Sequence, residues 1–173
     1  MDTYYTIEEK YLQAVAEMHY GETPLSLQLL NQILAEDPQF VRAHYQIGKL
    51  YYYDLNDYNA AGYHFKLCTE LDPTFPDVYY HYVNLLLFLN MERQLNAVAQ
   101  KAITVPGVNA AAIYNMQGLC AEKNLKFNEA LLFYREGLML VTSNDRKNEI
   151  EENISRIRFK TEKKKTYNYH FSG

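Results

Sequence analysis

The sequence predicts an all-α protein, an α-solenoid of about four helix-turn-helix repeats closed by a C-terminal capping helix. Two observations predict it. First, a block of residues at offsets 0, +4 and +7 recurs four times: Ser26, Leu30, Ile33; Ala61, Phe65, Cys68; Leu95, Ala99, Ala102; and Ala130, Tyr134, Gly137. The blocks start 35, 34 and 35 residues apart, and a period near 34 marks a stack of helical hairpins. Second, the chain is nearly half apolar yet has only 7 glycines and 5 prolines in 173 residues, which suits helices better than a sandwich or barrel.

The elements follow in order. Ile7, Tyr11, Ala14 and Met18 form the apolar stripe of a first helix ending near Tyr20, where Gly21 breaks it. Thr23 and Pro24 are read as cap and first residue of its partner, which Asp37-Pro38 stops. The second pair runs from about Val41 to Tyr53 and from a cap at Asp57 to Asp72-Pro73. The third runs from Asp77 to Leu89 and from Met91 to Thr104, with Pro106-Gly107 as punctuation. The fourth runs from Ala110 to Lys123 and from Phe127 to Leu140. The repeats thus fall at about 7–38, 41–73, 76–106 and 109–141, after an N-terminal extension over 1–6. Beyond Val141 the period stops. Ile150, Ile154 and Ile157 give one apolar stripe on a charged helix over 143–165, as a terminal cap requires. Residues 166–173 carry no helical pattern and are expected to be a flexible tail.

This pattern resembles the tetratricopeptide repeat family over residues 7 to about 141. The family's small residue at position eight of the first helix reads Ala14, Gly48, Val83 and Gly118. The second-helix triplets are those above, and Pro38 and Pro73 fall where the family places proline. Small residues let neighbouring helices approach closely. Tyr114, Gly118, Phe127, Ala130, Tyr134 and Gly137 put the fourth repeat in full register. Val83 and Leu95 are large where the family is small, Pro106 is one position early, and the second repeat has one extra residue between its helices, counted from Gly48 to Tyr58.

The resemblance implies a right-handed solenoid whose inner wall is lined by the first helix of each repeat. Its usual groove positions project onto Arg42, Tyr45, Gln46, Lys49, Tyr52 and Tyr53 in the second repeat. In the third they fall on Asp77, Tyr80, His81, Asn84, Leu87 and Phe88, and in the fourth on Asn115, Met116, Leu119, Glu122 and Lys123. The first repeat adds Tyr11, Val15 and His19. Tyrosine offers contact area, little rotamer entropy and one polar group, a composition enriched at interfaces. The wall is therefore expected to hold a peptide segment of another protein, although 17 tyrosines cannot all face one groove. Some family members grip a C-terminal carboxylate with a cationic fork. Neither frame here supplies one: Tyr11, Val15, Gln46, Asp77, His81 in one, Tyr45, Lys49, His81, Ala112, Met116 in the other.

The expected function is a non-enzymatic protein-interaction adaptor without cofactor or metal. The histidines are scattered, and neither a phosphate loop nor a nucleophile elbow is present. Three alternatives stay open: a small cytosolic chaperone for a secreted or assembly subunit; self-association through the end helices or tail; or docking of the basic tail, with Tyr167, Tyr169, His170 and Phe171, onto an acidic protein surface, a nucleic acid or a membrane surface. Residues 1–145 carry nine Lys/Arg against seventeen Asp/Glu, whereas 146–173 carry eight against four. An acidic body argues against nucleic acid as its partner. The most apolar run, Val83 to Leu89, includes Asn84 and falls short of the ~20 residues that span a bilayer. With a polar, acidic start, a cytoplasmic location is the expectation. Cys68 and Cys120 are expected as buried thiols.

Overall fold

Four tight turns recur with the same period as the sequence blocks, and they hold the architecture together. Gly21, Asn56, Asn90 and Leu125 all have left-handed backbones, with φ of 84°, 56°, 53° and 60°. Each follows the first helix of a repeat and turns the chain into the second. The residue after it donates its N–H back to that helix: Glu22 to the Glu17 carbonyl, Asp57 to Tyr51, Met91 to Leu86 and Lys126 to Ala121. Glycine and asparagine tolerate this conformation; leucine does so at a cost.

In this computed structural model, which describes residues 6–169 and side chains through Glu162, the chain is helical throughout, with no strand among the described residues. The helices are α1 (Ile7–Tyr20), α2 (Thr23–Glu36), α3 (Val41–Lys49), α4 (Tyr58–Leu71), α5 (Asp77–Phe88), α6 (Glu92–Ala102), α7 (Ala110–Lys123), α8 (Phe127–Met139) and α9 (Asn144–Tyr169). A π-helical turn, Leu50–Asp54, continues α3. The aromatic end of the expected tail, His170 and Phe171, lies outside the described residues, as do residues 1–5. Helix α9 continues to Tyr169, past the residue 165 at which the sequence pattern ends. None of the described helices is long and apolar enough to cross a membrane.

Local chemistry sets the boundaries. Thr6 and Glu9 form a reciprocal capping box at α1, the Glu9 N–H donating to Thr6 Oγ1 at 3.2 Å and the Thr6 N–H to Glu9 Oε2 at 2.8 Å. Asp57 and Asn109 cap α4 and α7 through their side-chain oxygens. Thr23 does not cap α2. It is the first helical residue, behind Glu22, and Pro24 occupies the first turn, where a missing N–H costs nothing.

The π turn accounts for the extra residue of the second repeat. From position eight of each first helix (Ala14, Gly48, Val83, Gly118) to its left-handed turn residue the chain takes seven steps in the other three repeats, but eight from Gly48 to Asn56. The surplus residue therefore lies within the helix, not in the connection after it. The Leu55 N–H reaches five residues back to the Leu50 carbonyl, at 3.0 Å.

The helices form two compact units, one up to Leu85 and one from Leu86, dividing inside α5. In the first unit α1 packs on α2, α2 on α3 and α3 on α4. Ala14, Leu30, Ile33, Ala43 and Ile47 fill its core, and the buried Ser26 hydroxyl donates to the Ala14 carbonyl at 2.8 Å. The ring of Phe65 lies against Gly48, where a Cβ would sit only 2.6 Å from it. In the second unit α6 packs on α7, α7 on α8, and α9 on both α7 and α8. Tyr134 lies against Gly118 as Phe65 does against Gly48, and the predicted stripe Ile150, Ile154, Ile157 is buried on this core. Cys68 and Cys120 are buried, one in each unit, and neither is in a disulfide.

Candidate functional site

In the first unit, tyrosines of α3, the π turn and α5 gather around one histidine. His81 on α5 has the rings of Tyr45, Tyr53 and Tyr80 at centroid distances of 5.7, 5.6 and 5.5 Å. Its Nδ1 shares a 2.8 Å hydrogen bond with the Tyr53 hydroxyl. The Tyr52 ring lies tilted beside Tyr53, 4.4 Å between centroids, and the Lys49 ammonium lies 5.2 Å from the Tyr45 ring centre. Asn84 lies near the Tyr53 hydroxyl and partly offsets the upward push of burial on its pKa. Tyr53 and Tyr80 remain 49% and 44% exposed, whereas Tyr45 and Tyr52 are half-buried. The π turn sets the register here: residues after Leu50 fall one position later than in an uninterrupted helix, so Tyr53 takes the place projected for Tyr52.

Burial pushes the His81 pKa down to about 4, helped by the Lys49 cation and opposed by Asp77. Burial, with Asp77 beside it, pushes Tyr45 up to about 12. At neutral pH the cluster is thus an uncharged imidazole ringed by phenols. Elsewhere in this unit His44 and His64 meet Nδ1 to Nδ1 at 2.9 Å, with His44 Nε2 2.9 Å from the Pro38 carbonyl. Tyr51 and Tyr63 flank His64, and burial followed by the neighbouring His44 pushes its pKa down to about 4. His64 and His81 sit below their ordinary 6.5, so on acidification the unfolded chain takes up protons first. Melting temperature is expected to fall as pH drops from about 6.5 to about 4; a flat profile across that window would contradict the buried placement.

The remaining projected residues of this unit lie beside α1. Arg42 pairs with Glu8 and spreads over the rings of Tyr11 and Phe40, 4.7 and 4.9 Å from their centroids. Gln46 is buried and donates to the Tyr11 hydroxyl at 3.1 Å. With Val15, Met18, His19 and Lys49 it lines a hollow of about 280 Å³.

In the second unit three projected residues are buried: Met116, only 6% exposed, and two that meet α9. Asn115 and Glu122, expected on an open wall, are covered by this helix and only 2% and 7% exposed. Asn115 donates to Glu149 at 2.7 Å and accepts from Asn153 at 2.9 Å. Glu122 accepts four hydrogen bonds: from Arg156 Nε and Nη2 at 2.8 and 2.7 Å, from Lys160 at 2.7 Å and from the Tyr134 hydroxyl at 2.9 Å. Burial alone would raise its pKa, but these bonds outweigh burial and hold the carboxyl down at about 2. Sequence reasoning missed these partners. The signal was a second stripe on α9, Glu149, Asn153, Arg156 and Lys160, at the same helical spacing as the isoleucines beside it. Phe88 remains exposed, and Leu119 is half-buried at the edge of a cavity of about 550 Å³. No cluster of three or more metal-ligating side chains occurs among the described residues.

No protein-family model matches the sequence, and no curated protein matches it. Solved structures do. MamA from Desulfovibrio magneticus RS-1 superposes with a TM-score of 0.76 at 16% identity, covering 96% of this chain and 91% of that one. Pseudomonas aeruginosa PilF gives 0.73 at 14% identity, over 91% of this chain and 69% of PilF. YrrB, described as a tetratricopeptide-repeat protein with an unusual peptide-binding site, gives 0.73 at 16% identity, over 91% of this chain and 78% of YrrB. The periodic small residues, the matched helical hairpins and these superpositions agree: the chain has the all-α solenoid fold of the tetratricopeptide-repeat proteins.

Proposed function

We propose that this protein is a non-enzymatic interaction scaffold that binds a peptide segment of another protein on the tyrosine wall of its first unit. The observation that carries this reading is the cluster around His81. Tyr53 and Tyr80 are exposed yet pinned by ring contacts and by the Tyr53–His81 hydrogen bond. Rings already ordered lose little entropy when a ligand settles on them. The neutral imidazole, the phenol hydroxyls and Asn84 supply donors and acceptors for a peptide backbone without demanding a charge. YrrB, of the same fold, is described as having a peptide-binding site, which makes the reading a natural one for this architecture.

The test is selection from a displayed random-peptide library, followed by anisotropy titration of the recovered sequences. Replacing Tyr53 and Tyr80 together by alanine is expected to weaken those peptides roughly tenfold or more. Far-UV circular dichroism should stay unchanged, because both rings are half exposed. Undiminished binding by the double variant would refute the assignment of the wall.

A further inference from the structure

The second unit has a pocket of different chemistry, and its rim contains a residue that the fold alone does not explain. Leu87, Leu119 and Leu125 line the apolar part of the 550 Å³ cavity; Lys123, Arg156 and Lys160 line its charged part. Two features single it out.

The first is Leu125. Of the four equivalent turn residues, the other three are glycine or asparagine, the types that accept a left-handed backbone. Leu125 takes the same conformation with a bulky side chain that is 70% exposed. It is unfavourable both in its backbone and in the apolar surface it offers to water. A residue that costs stability twice, at the mouth of a cavity, points to a role in contact.

The second is charge. Three cations and one carboxylate line the cavity, and that carboxylate is saturated. Glu122 accepts four hydrogen bonds, which fills the acceptor sites of a carboxylate. Arg156 spends two of its five N–H groups on it and Lys160 one of its three, while Lys123 donates to the Leu87 carbonyl at 3.0 Å. Among the lining residues a net positive charge and several donors therefore face the cavity.

We infer that this pocket binds an acidic, leucine-bearing segment of a partner protein: an aliphatic side chain settles between Leu87, Leu119 and Leu125 while a neighbouring carboxylate meets Lys123, Arg156 and Lys160. This site has a charge preference that the neutral tyrosine wall lacks, and it stands or falls independently of that wall.

The probe is a short fluorescein-labelled peptide alternating leucine and glutamate, titrated into the intact protein by anisotropy. A leucine–lysine counterpart and a polyglutamate serve as competitors. The leucine–glutamate peptide is expected to bind, and to weaken as salt rises. Lys123→Glu and Leu125→Asn should each reduce affinity roughly tenfold. Leu125→Asn should also raise the melting temperature by a few degrees, since asparagine suits the left-handed turn. The Tyr53 and Tyr80 alanine variant should bind this probe normally, which separates failure here from failure of the tyrosine wall. Equal binding of the lysine peptide or of polyglutamate would overturn the proposal. So would a dimer in light scattering that the leucine–glutamate peptide dissociates, which would make a second copy the occupant, or a Leu125→Asn variant that melts lower and binds as well as the wild type.

Discussion

Gly118→Leu is expected to destabilise the protein by about 3 kcal/mol and lower its melting temperature by roughly 6–12 °C. A Cβ at this position would lie 2.4 and 2.5 Å from ring carbons of Tyr134, well inside van der Waals contact. The ring cannot swing aside. It is fully buried, and its hydroxyl is held by Glu122 at 2.9 Å. To make room, α7 and α8 must separate or Tyr134 must give up its hydrogen bond; either route exposes the core that α9 covers. Glycines elsewhere calibrate the effect. At Gly62 a Cβ would meet only Leu85, at an ordinary 3.7 Å, so Gly62→Ala should stabilise by about 0.5–1 kcal/mol through helix propensity. Thermal melts of the two variants check both signs. If Gly118→Leu melted with the wild type, the close approach of α7 and α8 would be wrong.

Glu122→Ala should cost about 2–3 kcal/mol. The loss comes mainly from the buried side of the cluster, where the Tyr134 hydroxyl loses its acceptor. Arg156 and Lys160 are 42% and 46% exposed and can turn to water, which limits their share. The same cluster fixes an acid signature. In the folded protein the Glu122 carboxyl titrates at about 2, below its ordinary 4.5, so the unfolded chain protonates first on acidification. Its contribution is complete above about pH 4.5 and disappears as pH falls toward 2. The difference in unfolding free energy between wild type and Glu122→Ala should shrink through that window. A difference independent of pH would mean that the carboxylate is not the group that matters.

These two sites also show how far the sequence reached. That Gly48 and Gly118 mark close approaches between helices was legible, because small residues at fixed spacing are a packing rule written in residue size; that Phe65 and Tyr134 are the rings they meet comes from the structure. The isoleucine stripe of α9 was legible for the same reason. What α9 covers was not. Periodicity says that a helix has an apolar face, but which polar residues flank that face, and what they meet, depends on how the helix is laid on its neighbours. Asn115 and Glu122 therefore changed from expected wall residues to anchors for Glu149, Asn153, Arg156 and Lys160. The extra residue of the second repeat was countable, but its place was not. The pattern between Gly48 and Tyr58 fits a longer connection as well as a π turn, and only the Leu55 to Leu50 hydrogen bond decides between them.

The two thiols give each half of the chain its own reporter. Burial pushes Cys68 up to about 12 and raises Cys120 as well, so neither sulfur is nucleophilic while its surroundings stay closed. Alkylation must then wait for an opening event, and the order in which the two sulfurs are trapped records which half breathes first.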